Sequence, residues 1–400
     1  MSLPAGFSSW HGSRAATVTL LGVTQILAWG SSYYLPAVLA APIAADMGWP
    51  LSLVVSGLSI GLVIAGLVSP AVGSRIGRGQ GRWVLAASSL FLSLGLLCVS
   101  SAASLPLYLL GWIIIGLGMG AGLYDAAFAA LGTLYGLDAR RMITALTLFG
   151  GFASTVCWPL SAYLLEQFGW RGTCLAYAGI HLFLTMPAYL LLFPRGHGAG
   201  GGTPVTARIT RLVAAEQLSS FLLLGASISL AALISTVLSV HLLTVLQAGG
   251  MTLGSAVALG AMVGPSQVTA RLAEMFLGRH YHPIWTKLAS TSLVTAGILL
   301  LFTGAPFLAL GLILYGCGIG LESIARGALP LALFGAEGYG ARMGRLALPS
   351  LVAQAVAPFL GAFLLAQGGP HAALLVLVAL AALNVGLVLI LKQMRRIAPH

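Results

Sequence analysis

Charge is missing from stretches of this sequence far longer than a water-facing fold tolerates. Residues 217–270 and 346–391 contain no Asp, Glu, Lys or Arg, and residues 83–137 contain only Asp125. Soluble domains carry about 25% charged residues. This chain carries 7%, against 58% hydrophobic. Its 400 residues hold too little charge to cover a wet surface, whereas an apolar helix of about 20 residues crosses a bilayer. The fold expected is therefore an all-α integral membrane protein.

The gaps between charges map the spans, because a charge inside lipid is costly. Residues 15–74 contain only Asp46 and fit two helices with that acid in the turn. Residues 83–137 fit two more, broken near Ala102–Pro106. Residues 142–165 and 172–194 are each one charge-free span, separated by EQFGWR at 166–171. The remaining breaks fall near 248–251, 303–306 and 367–371. The total is twelve transmembrane helices, six in residues 1–194 and six in 211–400, joined by a Gly-rich linker at 195–210.

The formal charge of +11 would suggest nucleic acid in a soluble chain. Here the basic residues sit in short clusters between spans. Of 19 Lys and Arg residues, all but Arg171 and Arg326 fall at one end of the spans, Arg271, Arg279 and Lys287 among them. By the positive-inside rule that end is cytoplasmic, as are both termini. The expected location is a bacterial-type inner membrane, with lipid as a partner, no nucleic acid and a monomeric state. No cleavable leader is expected, since the first apolar run continues as a full span. Cys98, Cys157, Cys174 and Cys317 lie in apolar runs without CxxC spacing and read as small buried hydrophobes.

The two halves repeat. IGLGMG at 115–120 matches YGCGIG at 315–320, and GLVSPAVGSR at 66–75 resembles AMVGPSQVTAR at 261–271. WPLSAYLLEQFG at 158–169 pairs with APFLGAFLLAQGG at 357–369. Halves with one topology are related by an axis along the membrane normal. Such bundles enclose a central cavity and rock about it.

At this point the chain resembles the major facilitator superfamily of secondary transporters over its whole length. The loop GSRIGRGQGRW at 73–83 is similar to the superfamily's basic loop between helices 2 and 3, with Gly73, Arg78, Gly81 and Arg82 in place. Gly77 occupies the position of the family's acid, so a charge latch through that acid is not expected. Residues 27–52 and 138–172 resemble the monocarboxylate and oxalate–formate branch. Its basic residue in helix 8 or 11 has no mid-span counterpart in this sequence.

Three charges lie within spans: Asp125, Glu322 and Arg326. Asp125 and the Glu322–Arg326 pair sit at nearly equivalent places in helices 4 and 10, and Glu322 and Arg326 share a helix face. They are read as a gate or substrate site, with Asp125 pairing with Arg326 when one side closes; the competing reading is that Glu322 neutralises Arg326 for good. Gln25, Trp29 and Tyr33 line one face of helix 1 beside Tyr34. With Tyr124, Trp158 on helix 5 and Gln354 on helix 11, they are candidates for a pocket of rings with polar tips. Asp125, Glu322 and His181 are candidates for carrying a coupling proton. No cofactor or metal motif is present. HExxH, GxSxG and P-loop patterns are absent, so the chain is not read as an enzyme.

The resemblance implies alternating-access transport of a small organic solute, an organic anion or monocarboxylate first, with a proton as coupling ion. The alternatives are multidrug-type efflux or uptake of a vitamin-like aromatic solute; copper transport and a non-transporting receptor rank lower.

Overall fold

The structure, a computed structural model, describes residues 13–195, 215–304 and 306–397. The expected linker lies almost wholly outside the described residues. Among them every regular element is helical. The first span is split into α1 (Arg14–Gly30) and α2 (Pro36–Met47). The second and third are α3 (Leu51–Arg75) and α4 (Gly81–Ser100). The fourth is split into α5 (Leu105–Gly122) and α6 (Tyr124–Tyr135). The fifth and sixth run through α7 (Ala139–Gly151), α8 (Ala153–Ile180) and α9 (Met186–Leu192).

The second half holds α10 (Ala215–Ala248), then α11 (Leu253–Gly260) and α12 (Val263–Leu277) as one span. It continues with α13 (Pro283–Thr303), α14 (Leu308–Phe334) and α15 (Tyr339–Ile397), which folds back on itself to give the last two spans. Helix is what lipid demands, because it satisfies backbone N–H and C=O groups within each segment. Many Ser and Thr hydroxyls also bond back to their own helix. Thr24 Oγ1 lies 2.9 Å from the Leu20 carbonyl and Ser69 Oγ 2.6 Å from that of Ala65.

The repeat is visible in the backbone. Helix α8 turns at Gly169 (φ 67°) and α15 at Gly369 (φ 69°). These are the corners between spans five and six and between eleven and twelve. Only glycine takes that left-handed geometry without strain.

It is visible again in the helix contacts. A Cβ added at Gly95 would lie 2.8 Å from the Gly111 carbonyl, and one at Gly297 would lie 2.6 Å from that of Gly311. Gly116 and Gly120 press likewise on the carbonyls of Gly61 and Ala65 in α3. Gly316 and Gly320 press on those of Val263 and Gln267 in α12. Lipid tails are as apolar as leucine, so helices associate through such close approach rather than through the hydrophobic effect.

The chain divides into two compact units, Met1–Thr203 with Gly335–Leu348, and Pro204–Phe334 with Pro349–His400. The start of α15 thus belongs with the first unit. Gly340 and Gly344 on α15 meet Ser69, Gly73 and Gly77 at the end of α3 and just beyond it. A Cβ at Gly73 would lie 2.2 Å from the Gly340 carbonyl, and one at Gly344 would lie 2.2 Å from that of Ser69. Both sides carry the small-xxx-small spacing that lets helices touch. The Tyr339 ring fills the notch at Gly132, where a Cβ would lie 2.2 Å from Cδ1.

The far end of the first unit is stapled by Arg171. It bonds the Asp46 carboxylate at 2.5 Å and the Ala102 carbonyl at 3.3 Å, with its guanidinium 4.1 Å from the Trp170 ring centre. Three turns are joined by one side chain. The Arg171 and Trp170 bonds hold the Asp46 carboxyl below its usual value. At the basic end, Arg14 pairs with Asp138 at 2.7 Å.

Two residues read as topology-setting charges at span ends are corrected here. Arg271 lies inside α12 and Lys287 inside α13, and both are buried. The helices simply run further than the charge gaps implied, leaving only a short turn between them.

Candidate functional site

In the first unit the polar and aromatic candidates of three interrupted spans converge. The break after α1 leaves carbonyls that hydroxyls collect: Ser31 Oγ donates to Leu27 O at 2.8 Å and Ser32 Oγ to Ala28 O at 2.5 Å. Gln25, wholly buried one turn earlier, donates from Nε2 to the Gly122 carbonyl at 2.5 Å, where α5 stops. Its Oε1 accepts the Trp29 indole N–H at 3.1 Å. One amide thus links the broken first span to the broken fourth.

Trp29 sits at the centre of the rings, with centroids 5.3 Å from Tyr33, 6.0 Å from Tyr34 and 5.2 Å from Tyr124. Tyr34 meets Trp158 edge-on at 6.1 Å, and Trp158 is half-exposed. Tyr124 stacks on Phe128, a ring the sequence did not single out. The Tyr124 hydroxyl rests over Gly150 and donates to Thr147 O at 3.4 Å. Gln25, Trp29, Tyr33, Tyr34, Tyr124 and Trp158 therefore form one continuous group. Edge-to-face and stacked rings with polar tips can take a flat organic molecule and orient its polar end.

Asp125 lies in the first turn of α6, where the helix dipole favours a carboxylate. It is close enough to Tyr339 for its charge to act there. His181 is buried. Its Nε2 lies 2.7 Å from Ser31 Oγ and its Nδ1 3.1 Å from Thr185 Oγ1, which reaches Ser89 Oγ at 2.9 Å. It is one member of a hydroxyl chain behind the first-span break, within a π-helical turn, His181–Thr185. Of the loop residues, Gly73 and Gly81 are buried and Arg78 is exposed, while Arg82 lies 5.9 Å from the Trp83 ring.

In the second unit, charge is concentrated where α12, α13 and α14 meet. Lys287, with no exposed surface, donates to Glu322 Oε1. Ser290 Oγ donates to Glu322 Oε2 at 2.9 Å. Arg326, one turn further along α14, is near enough for its charge to oppose that of Lys287. Arg271 bonds the Gly320 carbonyl through Nε at 3.4 Å and Gln267 Oε1 at 3.3 Å. Glu274 accepts Thr286 Oγ1 at 2.7 Å and the Tyr281 hydroxyl.

Among the described residues the cluster holds three cations, Arg271, Lys287 and Arg326, and two carboxylates, Glu274 and Glu322. Sequence reasoning missed Lys287 as a partner for Glu322. The available signal was its place four residues after Pro283, inside the helix that follows. Gln354 on α15 is buried and donates to Ser350 O of its own helix at 3.4 Å. Among the described residues no three His, Cys, Asp or Glu side chains gather as metal ligands.

Residues 21–325 match the profile of the Major Facilitator Superfamily. The transcription regulatory protein OpdE of Pseudomonas aeruginosa is 26% identical over 179 residues, 45% of this chain and 43% of that protein. Human monocarboxylate transporter 6 is 33% identical over 126 residues, 31% of this chain and 25% of that protein. The match thus spans less than half the length of either relative.

Among solved structures, the human organic anion transporter MFSD10 (TETRAN) superposes with a TM-score of 0.73 at 19% identity, covering 94% of this chain and 99% of that one. FucP in the outward conformation gives 0.67 at 16% identity, over 96% and 99%. The proton:xylose symporter XylE gives 0.65 at 12% identity, over 93% and 95%. These likenesses establish the fold.

Proposed function

The chain belongs to the Major Facilitator Superfamily, and from that premise we propose that it moves a small organic anion across the inner membrane by alternating access. Its fold and family are those of transporters rather than enzymes. The observation that carries the anion reading is the cation excess in the second unit, Arg271, Lys287 and Arg326 against Glu274 and Glu322. A charge kept inside a membrane protein serves a pathway, a partner or a ligand. An incoming carboxylate balances the excess. Aromatic monocarboxylates are the first class to test. A monocarboxylate transporter is among the chain's relatives, in line with that class.

In this reading the basic end is cytoplasmic. Asp125, Glu322 and His181 are the candidates for a coupling proton; Glu322 is engaged by Lys287, and His181 lies against the hydroxyls of Ser31 and Thr185. Thermal unfolding of the purified protein tests the ligand class. A ligand at a hundred times its Kd adds about 2.7 kcal/mol to apparent stability. Benzoate is expected to raise the melting temperature and benzylamine to leave it unchanged; the reverse pattern overturns the anion reading.

A second reading, a receptor that binds without transporting, is favoured by the regulatory relative OpdE. Exchange of labelled solute across a vesicle wall separates the two, since a receptor binds but does not exchange.

A further inference from the structure

The third span of each half begins alike. Trp83 is the third residue of α4 and Trp285 the third of α13. Both rings are exposed, at 66% and 45%. Each carries a cation: the Arg82 guanidinium lies 5.9 Å from the Trp83 ring centre, and Lys392 Nζ lies 3.7 Å from that of Trp285. The two cations come from different places in the chain. Arg82 is its ring's neighbour, and the matching residue of α13, Ile284, is an apolar buried one. Lys392 stands near the end of α15. In the register set by the Gly169 and Gly369 corners its counterpart is Leu192, the last residue of α9. The repeat thus places the tryptophan, while the cation is supplied separately in each unit. A leucine serves the helix end in the first unit, so packing there does not call for Lys392.

Depth and charge say what this pair meets. Helix α13 has 21 residues, about 32 Å at 1.5 Å per residue, close to the ~30 Å hydrocarbon layer of a bilayer. Trp285, in its first turn, then stands at the level of the headgroups, where tryptophan collects. Among the described residues no carboxylate pairs with Lys392. Residues 275–321 and 338–400 contain no Asp or Glu. Glu274, just before α13, is buried and accepts from Thr286 and Tyr281. Arg395 and Arg396 follow Lys392 by three and four residues, the spacing of one helix face. One turn before Lys392, Leu389 is 42% exposed and offers an acyl chain an apolar surface. A charge that only sets topology works anywhere in a short loop; Lys392 is seated on a ring.

We infer that Trp285 and Lys392 form a binding site for the headgroup of an anionic phospholipid such as phosphatidylglycerol. The lysine meets the phosphate, and the ring holds the lysine at headgroup depth. A zwitterionic lipid brings its own fixed cation beside the phosphate, which Lys392 disfavours. Free phosphate lacks the chains that would cover Leu389. The inference holds whatever solute the chain moves.

The test is native mass spectrometry of the full-length chain in detergent, titrated with phosphatidylglycerol or phosphatidylcholine, reading the first lipid bound. Wild type is expected to bind phosphatidylglycerol about fivefold more tightly than phosphatidylcholine, the scale of one lysine acting on an anionic headgroup. Lys392→Leu copies Leu192 of the first unit. It should weaken phosphatidylglycerol by about fivefold and leave phosphatidylcholine unchanged. Lys392→Arg keeps a cation over the ring and should keep the preference. The Arg82–Trp83 pair, near the ~6 Å limit of such contacts, is the weaker of the two and does not mask the loss.

Equal binding of the two lipids by wild type overturns the inference, and so does undiminished phosphatidylglycerol binding by Lys392→Leu. Displacement of phosphatidylglycerol by an equal concentration of inorganic phosphate would make this a site for the free anion, and overturns it as well. If Lys392→Leu is not recovered folded, Trp285→Leu decides: it removes the ring beneath the cation and must show the same selective loss.

Discussion

The glycine contact between α15 and the end of α3 makes a sharp prediction. In Gly344→Ala the new methyl carbon would lie 2.2 Å from Ser69 O, 2.9 Å from Ser69 C and 3.1 Å from Pro70 Cα. All three atoms are backbone, so no rotamer change relieves the overlap. The two helices must separate by more than an ångström to restore ordinary contact. That also loosens Gly340 from Gly73 and Tyr339 from its notch at Gly132. Overpacking of this kind costs about 1–3 kcal/mol. At about 1.4 kcal/mol per factor of ten, the docked state of residues 335–348 loses roughly fivefold to 150-fold in population.

Ala341 lies within the contact and is 5% exposed. The thiol introduced by Ala341→Cys should react with a maleimide at a rate set by undocking. Mass spectrometry of its peptide separates it from the four native cysteines. Adding Gly344→Ala should speed that labelling by the same factor. Gly254→Ala is the control, since nothing lies within 4 Å of a Cβ there. Equal labelling rates with and without Gly344→Ala would refute the idea that direct backbone packing holds this segment.

Three further outcomes follow from the geometry. Gln25→Leu removes the amide joining Gly122 O to Trp29; titration of purified protein should show benzoate binding weakened about tenfold, the scale of a lost buried hydrogen bond. Gly95→Leu and Gly297→Leu should each lower the melting temperature to a similar extent, because they break equivalent helix pairs in which a Cβ would meet backbone atoms at 2.8 Å or less. Asp46 has its folded-state carboxyl held below the ordinary 3.8 by Arg171 and Trp170. Its contribution is therefore fully present above that value and lost as pH falls through the lower, folded one. The stability gap between wild type and Asp46→Asn, read by thermal melts across pH, should be constant from pH 8 to 5 and shrink only below about 4.

Much of the architecture was legible because lipid leaves few options. Gly-, Pro- or polar-rich stretches inside the apolar runs marked the breaks near 102–106, 248–251, 303–306 and 367–371, and the structure turns at or beside each. The aromatic residues of the first span share a face by spacing alone. Their junction with Tyr124 and Trp158 depends on three breaks, at 31–35, Leu123 and Phe152, that no charge marks.

The second unit was harder to read for the opposite reason. A charge near a helix end looks the same in sequence whether it faces water or a partner. Lys287 and Arg271 were read by position as topology-setting charges at span ends, yet Glu322 was already one carboxylate in need of a counter-charge. The glycine runs of α5 and α14 mark the repeat but not the partners they pack on, since the matching positions on α3, α4, α12 and α13 include ordinary residues such as Ala65, Gln267 and Ser290.

The central claim is that this chain exchanges an organic anion through a site whose positive charge comes from Arg326. Counterflow tests it directly: proteoliposomes loaded with unlabelled benzoate are diluted into a trace of labelled benzoate. The account predicts transient accumulation of label by the wild type and none by Arg326→Gln, with both proteins equally folded. Binding of benzoate without counterflow, or undiminished counterflow by Arg326→Gln, would contradict it.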